Sequence, residues 1–124
     1  MKSADGAPPP RARLVVLMDV DEECEEEFNR WYDTEHFPER MSCPGFLEGH
    51  RFVCQEGGPK YAAIYTLESA AVLESEAYRA IAGDSPWTAR LRPRLRNVTR
   101  AVYIENEQVG DVEPALRPGA GADG

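Results

Sequence analysis

The sequence has no long hydrophobic run. Nothing in its 124 residues approaches the ~18 consecutive apolar residues of a membrane-crossing helix, which excludes such a span, and no membrane partner is expected. Cysteine is scarce: Cys24, Cys43 and Cys54 are odd in number and form no Cys-x-x-Cys pair, so they suit neither a disulfide scaffold nor a zinc site. Histidine is scarcer, with only His36 and His50 and no His-x-His or His-x-x-x-His pairing, so no metal site is expected. Met1 to Gly6, followed by prolines, lacks the apolar stretch of a secretory signal. Together with the unpaired cysteines, this gives the expectation of a cytoplasmic protein. A basic excess is also missing. The 22 acids outnumber the 14 Lys and Arg, for a net charge of −8, which repels phosphate backbones and argues against a nucleic-acid partner. There is no Ser-centred elbow, P-loop or Gly-x-Gly-x-x-Gly. Gly57-Gly58-Pro59 is too short to cradle phosphate and reads as a turn. No cofactor is expected.

What is present suffices for one domain. The chain is 42% hydrophobic and 29% charged, close to an average globular protein, and its length suits a single core. Residues 1–11 read as a disordered leader and 107–124 as a flexible tail, leaving a working domain at 12–106. Residues 14–18, Leu-Val-Val-Leu-Met, form a β-branched apolar run that reads as a buried strand. Asp19 and Asp21 offer helix N-caps, and the acids that follow fill first turns where the macrodipole favours anions. Pro38 is expected to end or kink this helix. Residues 46–55 and 61–67 read as a strand pair joined by a turn at 56–59. Ser69 can cap a second helix with Val72, Leu73, Tyr78 and Ile81 as its apolar positions, ended by Gly83. An arginine-rich connection at 85–96, with a short helix broken by Pro93, leads to a last strand at 98–104. The order β-α-β-β-α-β is that of the α+β, ferredoxin-like split βαβ fold. It predicts a four-stranded antiparallel sheet with both helices on one face. The other face would expose a large apolar patch, so a homodimer through sheet faces is expected.

Charge is uneven. Residues 19–27 hold seven acids and no base, and residues 90–100 hold five arginines and no acid. Both read as solvated surface. The arginines could instead face the acidic run of another copy or an anionic ligand.

Chemistry concentrates in residues 28–40. Helical spacing puts Phe28, Tyr32 and His36 on one stripe. A histidine closing an aromatic stripe just before a proline can point between helix and sheet and move protons near neutral pH. It can equally hydrogen-bond a kinked helix end. His50 reaches the same space if its strand face turns inward, and is otherwise a surface residue. Glu39 and Arg40 read as a local ion pair fixing the helix end. The large rings Trp31, Tyr61, Tyr65, Tyr78, Trp87 and Tyr103 suit a core. A cavity walled by such rings, with one or two polar groups, also suits an aromatic ligand, and Tyr65 on a central strand is the leading wall residue.

Phe28-Asn29-x-Trp31-Tyr32-Asp33-x-Glu35-His36-x-Pro38-Glu39-Arg40, followed by Pro44-Gly45-Phe46, resembles the motif of the EthD-like family of the dimeric α+β barrel superfamily. Gly57 to Tyr61, Ala77-Tyr78-Arg79, Ser85-Pro86-Trp87-Thr88 and Arg96-Asn97 resemble its small actinobacterial-type branch. The resemblance covers about residues 12–104. It implies a ferredoxin-like protomer that dimerises through its sheets, with a pocket between sheet and helices and a catalytic histidine, here His36. It also implies membership of a group that includes cofactor-free monooxygenases, cyclases, decarboxylases, dehydratases, isomerases and haem-binding proteins. The expectation is a cofactor-independent enzyme acting on an aromatic or polyketide-like small molecule by proton transfer at His36. Tyr32, a catalytic candidate beside His36, or His50 would orient the substrate or stabilise an oxyanion, and Trp31, Tyr65 and Trp87 would wall it. A cofactor-free monooxygenase and a non-catalytic small-molecule binding protein are the alternatives.

Overall fold

The computed structural model describes residues 8–106. Residues 1–7 and 107–124, which hold most of the expected leader and all of the expected tail, lie outside the described residues. Strand β1 (Ala12–Val20) is followed by a 3-10 turn (Glu22–Cys24), α1 (Glu25–Trp31), a π turn (Tyr32–His36) and α2 (Phe37–Met41). Then come β2 (Phe46–Val53), β3 (Tyr61–Leu67), a 3-10 turn (Ala70–Glu74), α3 (Glu76–Ile81), α4 (Pro86–Leu91), a 3-10 turn (Arg92–Arg94) and β4 (Leu95–Ile104). The four strands pair antiparallel in the order β2-β3-β1-β4, the α+β, ferredoxin-like arrangement expected from the element order. The outer strands differ from expectation in extent, with β4 beginning three residues earlier and β2 stopping at Val53.

Strand alternation divides the sheet into two faces. Leu14 and Met18 of β1 and Tyr61, Ala63, Tyr65 and Leu67 of β3 are buried. Phe28, Trp31 and Tyr32 from the first helical arm and Leu91 from the second pack with them in one core. Among the described residues, no layer covers the opposite face, and Phe52 and Tyr103 are 49% and 58% exposed there.

Both helical arms depart from the sequence reading. Pro38 does not end the first arm, which runs on to Met41. The π turn explains this. The Phe37 N–H bonds back to the carbonyl of Tyr32, five residues earlier, and Pro38 then enters in the first turn of α2, where a missing N–H costs little. The second arm is two helical pieces instead of one. Ser69 accepts from the N–H of Ala71 and caps the 3-10 turn, then Ser75 adopts extended backbone and caps α3 by accepting from the N–H of Tyr78. A serine hydroxyl competing for backbone N–H groups restarts the helix there.

The acidic run also behaves differently. Asp21 sits at the N-cap of the first 3-10 turn but makes no side-chain cap. It pairs instead with Arg94 and Arg96, while Asp19 accepts from the Lys60 N–H and from Asn97. Glu27 accepts from Arg90 and from Trp87 Nε1. The acidic and arginine-rich segments therefore meet within one chain. Antiparallel pairing of β1 with β4 brings Asp19 opposite Arg96, which the separate runs did not reveal.

Candidate functional site

Between the helical arms and the β1–β4 side of the sheet lies a cavity of about 270 Å³. Its floor is Leu14, Val16 and Tyr65, and its walls include Trp31, His36 and Tyr78. A roomier hollow of about 530 Å³ at the other end of β1 involves Arg13 and Tyr103 and has no histidine.

The π turn places His36. Widening the turn by one residue brings positions five apart into register, and the imidazole stacks on the Trp31 indole with centroids 4.6 Å apart and planes 27° apart. Tyr32 meets the same ring edge-on at 5.1 Å. Trp31 is itself fixed. Its Nε1–H donates to Thr88 Oγ1 at 3.1 Å, and the Thr88 hydroxyl lies 3.4 Å from Glu35, which also accepts from Ser85. Ser85 caps α4, so Glu35 ties the π turn to the second arm.

Burial, reinforced by the nearby Arg40 and Arg92 guanidiniums, lowers the His36 pKa to about 3, with Asp84 opposing weakly. At neutral pH the imidazole is neutral and able to accept a proton. Tyr65 is 1% exposed, and its hydroxyl is, among the described residues, the one buried side-chain oxygen without a well-formed hydrogen bond. Burial and the neighbouring Tyr32 phenol raise its pKa, and burial also raises that of Tyr32, so both hydroxyls stay protonated and can donate.

The structure brings His36, Trp31 and Tyr65 together at the cavity, with Tyr32 behind them. It does not bring His50 or Trp87 there. Cross-strand neighbours of His50 on β2 point away from the helices, and its side chain is 60% exposed, 2.8 Å from Glu48 on the bare face. Gly49 and Arg51 take the inward positions instead. A Cβ on Gly49 would stand 3.0 Å from both Phe37 and Tyr65, so glycine is what lets α2 settle on the sheet. Trp87 turns its indole N–H to Glu27. Asp33 is held by Arg51, so the carboxylates flanking His36 in sequence are engaged elsewhere.

Sequence reasoning allowed that the arginine run faces an anionic ligand but read Arg40 only as a partner of Glu39 and did not bring the three arginines together. Arg40 does lie 3.5 Å from Glu39 as expected, but its better bond is to the Ile81 carbonyl at 3.0 Å, and its guanidinium lies 5.5 Å above the Tyr78 ring. Arg92 and Arg100 also line the cavity. Arg92 comes from the connection and Arg100 from β4, and no local signal joins them to position 40.

Residues 14–106 match the family described as Domain of unknown function (DUF4286). No curated protein matches the sequence. Among solved structures, an EthD family protein from Bacillus halodurans is 16% identical, with a TM-score of 0.57 over 77% of this chain and 99% of that one. SnoaB, a cofactor-independent oxygenase from Streptomyces nogalater, is 18% identical, with a TM-score of 0.54 over 78% and 94%. The hydroxynitrile lyase from Passiflora edulis is 15% identical, with a TM-score of 0.58 over 86% and 100%. The fold is thus that of the EthD-like, dimeric α+β barrel proteins, as the motif implied, and at these identities the likeness concerns fold alone.

Proposed function

The chain belongs to the DUF4286 family, a domain of unknown function, and we propose that it is a cofactor-independent enzyme that moves a proton on an aromatic or polyketide-like small molecule. One observation carries this reading. A neutral, part-buried imidazole, held against Trp31, borders a cavity floored in part by Tyr65, whose buried hydroxyl lacks a well-formed hydrogen bond. His36 accepts a proton from an acidified C–H or O–H of the substrate, and Tyr65 donates to the oxygen on which negative charge develops. Tyr32 is a positioning residue, behind Tyr65 and edge-on to His36. Trp31 and Tyr78 supply aromatic walls. That one relative by fold is a lyase and another a cofactor-independent oxygenase agrees with a scaffold for such chemistry. The working form is a homodimer joined through the bare sheet faces, which would cover Phe52 and Tyr103.

The test is turnover of a panel of aromatic ketones and poly-β-ketones, with products read by mass spectrometry under air and under nitrogen. Wild type should convert a panel member equally in both. His36→Ala should lose roughly 10²–10⁴-fold in rate while remaining folded. Full activity of that variant would overturn the assignment. Strict dependence on O₂ would favour a monooxygenase, and binding without product would favour an accessory protein.

A further inference from the structure

We infer that the ligand of this cavity is an anion, an aromatic carboxylate held by Arg40 and Arg100. The inference rests on the proposed site and names its substrate class. Among the described residues, every charged side chain lining the cavity other than neutral His36 is an arginine, in a chain whose net charge is −8. Two of them, Arg92 and Arg100, belong to the arginine-rich run at 90–100, and the packing of α2 brings Arg40 to meet them from the other helical arm.

They are not equally committed. Arg92 is neutralised by Asp84, to which its Nε donates at 2.8 Å and which its Nη2 also reaches. Arg40 is different. Its side chain is only 11% exposed, yet among the described residues only Nη1 of its five donors bonds, to the Ile81 carbonyl at 3.0 Å and to Glu39 at 3.5 Å. A guanidinium so enclosed ordinarily fills its fork with a planar acceptor. Arg100 stands across the sheet from Val16 and has no acidic partner among the described residues. The buried Tyr65 hydroxyl offers a further donor. The remaining donors of Arg40, the Arg100 guanidinium and the Tyr65 hydroxyl suit a carboxylate, while Leu14, Val16, Trp31 and Tyr78 suit an aromatic body.

The anion would also act on His36. The groups facing that imidazole are Arg40 from α2, Arg92 from the 3-10 turn and Asp84 from the α3–α4 connection. A bound negative charge offsets the two guanidiniums and moves the His36 pKa up from about 3, towards the range in which a general base works best at neutral pH. The substrate would thereby tune the group that acts on it.

Isothermal titration of the full-length protein with 1-naphthoate and with 1-naphthamide, the same ring without the charge, tests this. The His36 and His50 imidazole signals would be followed by NMR across pH in each complex. Naphthoate should bind at least tenfold more tightly, and the His36 signal should titrate at higher pH in its complex, with His50 unmoved. Arg100→Gln, at an exposed position, should bring the affinity ratio towards one, and Arg40→Gln should do so more strongly. If the amide binds as tightly as the acid, the anion inference falls while the aromatic cavity of the proposed function stands. If neither binds and His36 does not move, both fall. A preference that survives Arg100→Gln and Arg40→Gln would place the anion elsewhere and overturn the inference.

Discussion

His36 and His50 belong to opposite faces of one sheet and meet opposite surroundings. On the covered face, the His36 ring lies on Trp31, edge-on to Tyr32, and is held neutral by burial and by Arg40. On the bare face, the His50 ring is largely in water beside Glu48, and its hydrogen bond lowers the Glu48 pKa. Two local rules produce the contrast. Period-two alternation on β2 sends Gly49 and Arg51 inward and His50 outward. The π turn brings His36 over Trp31, five residues back, where a regular helix would not align them. The same residue type is a candidate for proton transfer in one place and a surface group in the other. The cause is backbone geometry, not sequence neighbourhood.

The widest gap between the faces should appear on truncating a ring. Phe28 is fully buried and touches the Trp31, Tyr32 and Tyr61 rings at 5.1–5.9 Å between centroids. Phe28→Ala should cost about 3–5 kcal/mol in urea unfolding. Phe52→Ala, at a half-exposed position, should cost under about 1 kcal/mol in the monomer. Equal losses would show that the bare face is as buried in solution as the covered one. Ile64, on the bare side of β3, tests the proposed homodimer. Ile64→Glu should shift the sedimentation coefficient from dimer to monomer, since it would place an unpaired charge between the two sheets.

A smaller effect should follow pH. The pKa of His36 is about 3 folded against 6.5 as an ordinary histidine, so below pH ~6.5 the unfolded chain binds a proton that the folded chain does not. Stability should therefore fall as pH drops from about 6.5, by up to about 1.4 kcal/mol per pH unit. The fall due to His36 levels off below about pH 3, where both states are protonated. The carboxylates whose pKa is lowered, such as Glu25 and Glu27, add their own loss only below their ordinary range near 4.5. Between pH 6.5 and 5 the slope belongs to histidine. His36→Gln should flatten it. A slope unchanged by His36→Gln would place that imidazole in water.

Much of the fold was legible because strands and caps are local. The apolar runs of β1 and β3 and the turn at 56–59 each announce themselves within a few residues. The π turn was hidden because a helical pattern is read at 3.6 residues per turn, and one wider turn leaves no mark in composition. The break at Ser75 did have a signal, a serine three residues before Tyr78, masked by apolar positions that fit one longer helix equally well. For the site, the motif led to His36 and its rings. His50 depended on a strand parity that the glycine at 49 makes hard to read. Arg40, Arg92 and Arg100 are 52 and 8 positions apart in sequence, and only sheet pairing and helix packing make them neighbours.

The smallest contrast concerns hydroxyls. Thr88 is buried and bridges Trp31 Nε1 to Glu35, whereas Thr99 is exposed on the bare side of β4. Thr88→Val keeps the shape but leaves a buried indole N–H without its acceptor, which should cost about 1–3 kcal/mol. Thr99→Val should stay within about 0.5 kcal/mol of wild type. Because His36 rests on the Trp31 ring, the loss at Thr88 should reach the imidazole. Its NMR signal should shift and broaden in Thr88→Val and return in Thr88→Ser, which restores the hydroxyl. A stability loss with the His36 signal unmoved would mean that Trp31 keeps its place without the bond. In that case packing against Phe28 and Tyr32, and not the link to Glu35, holds the cavity wall.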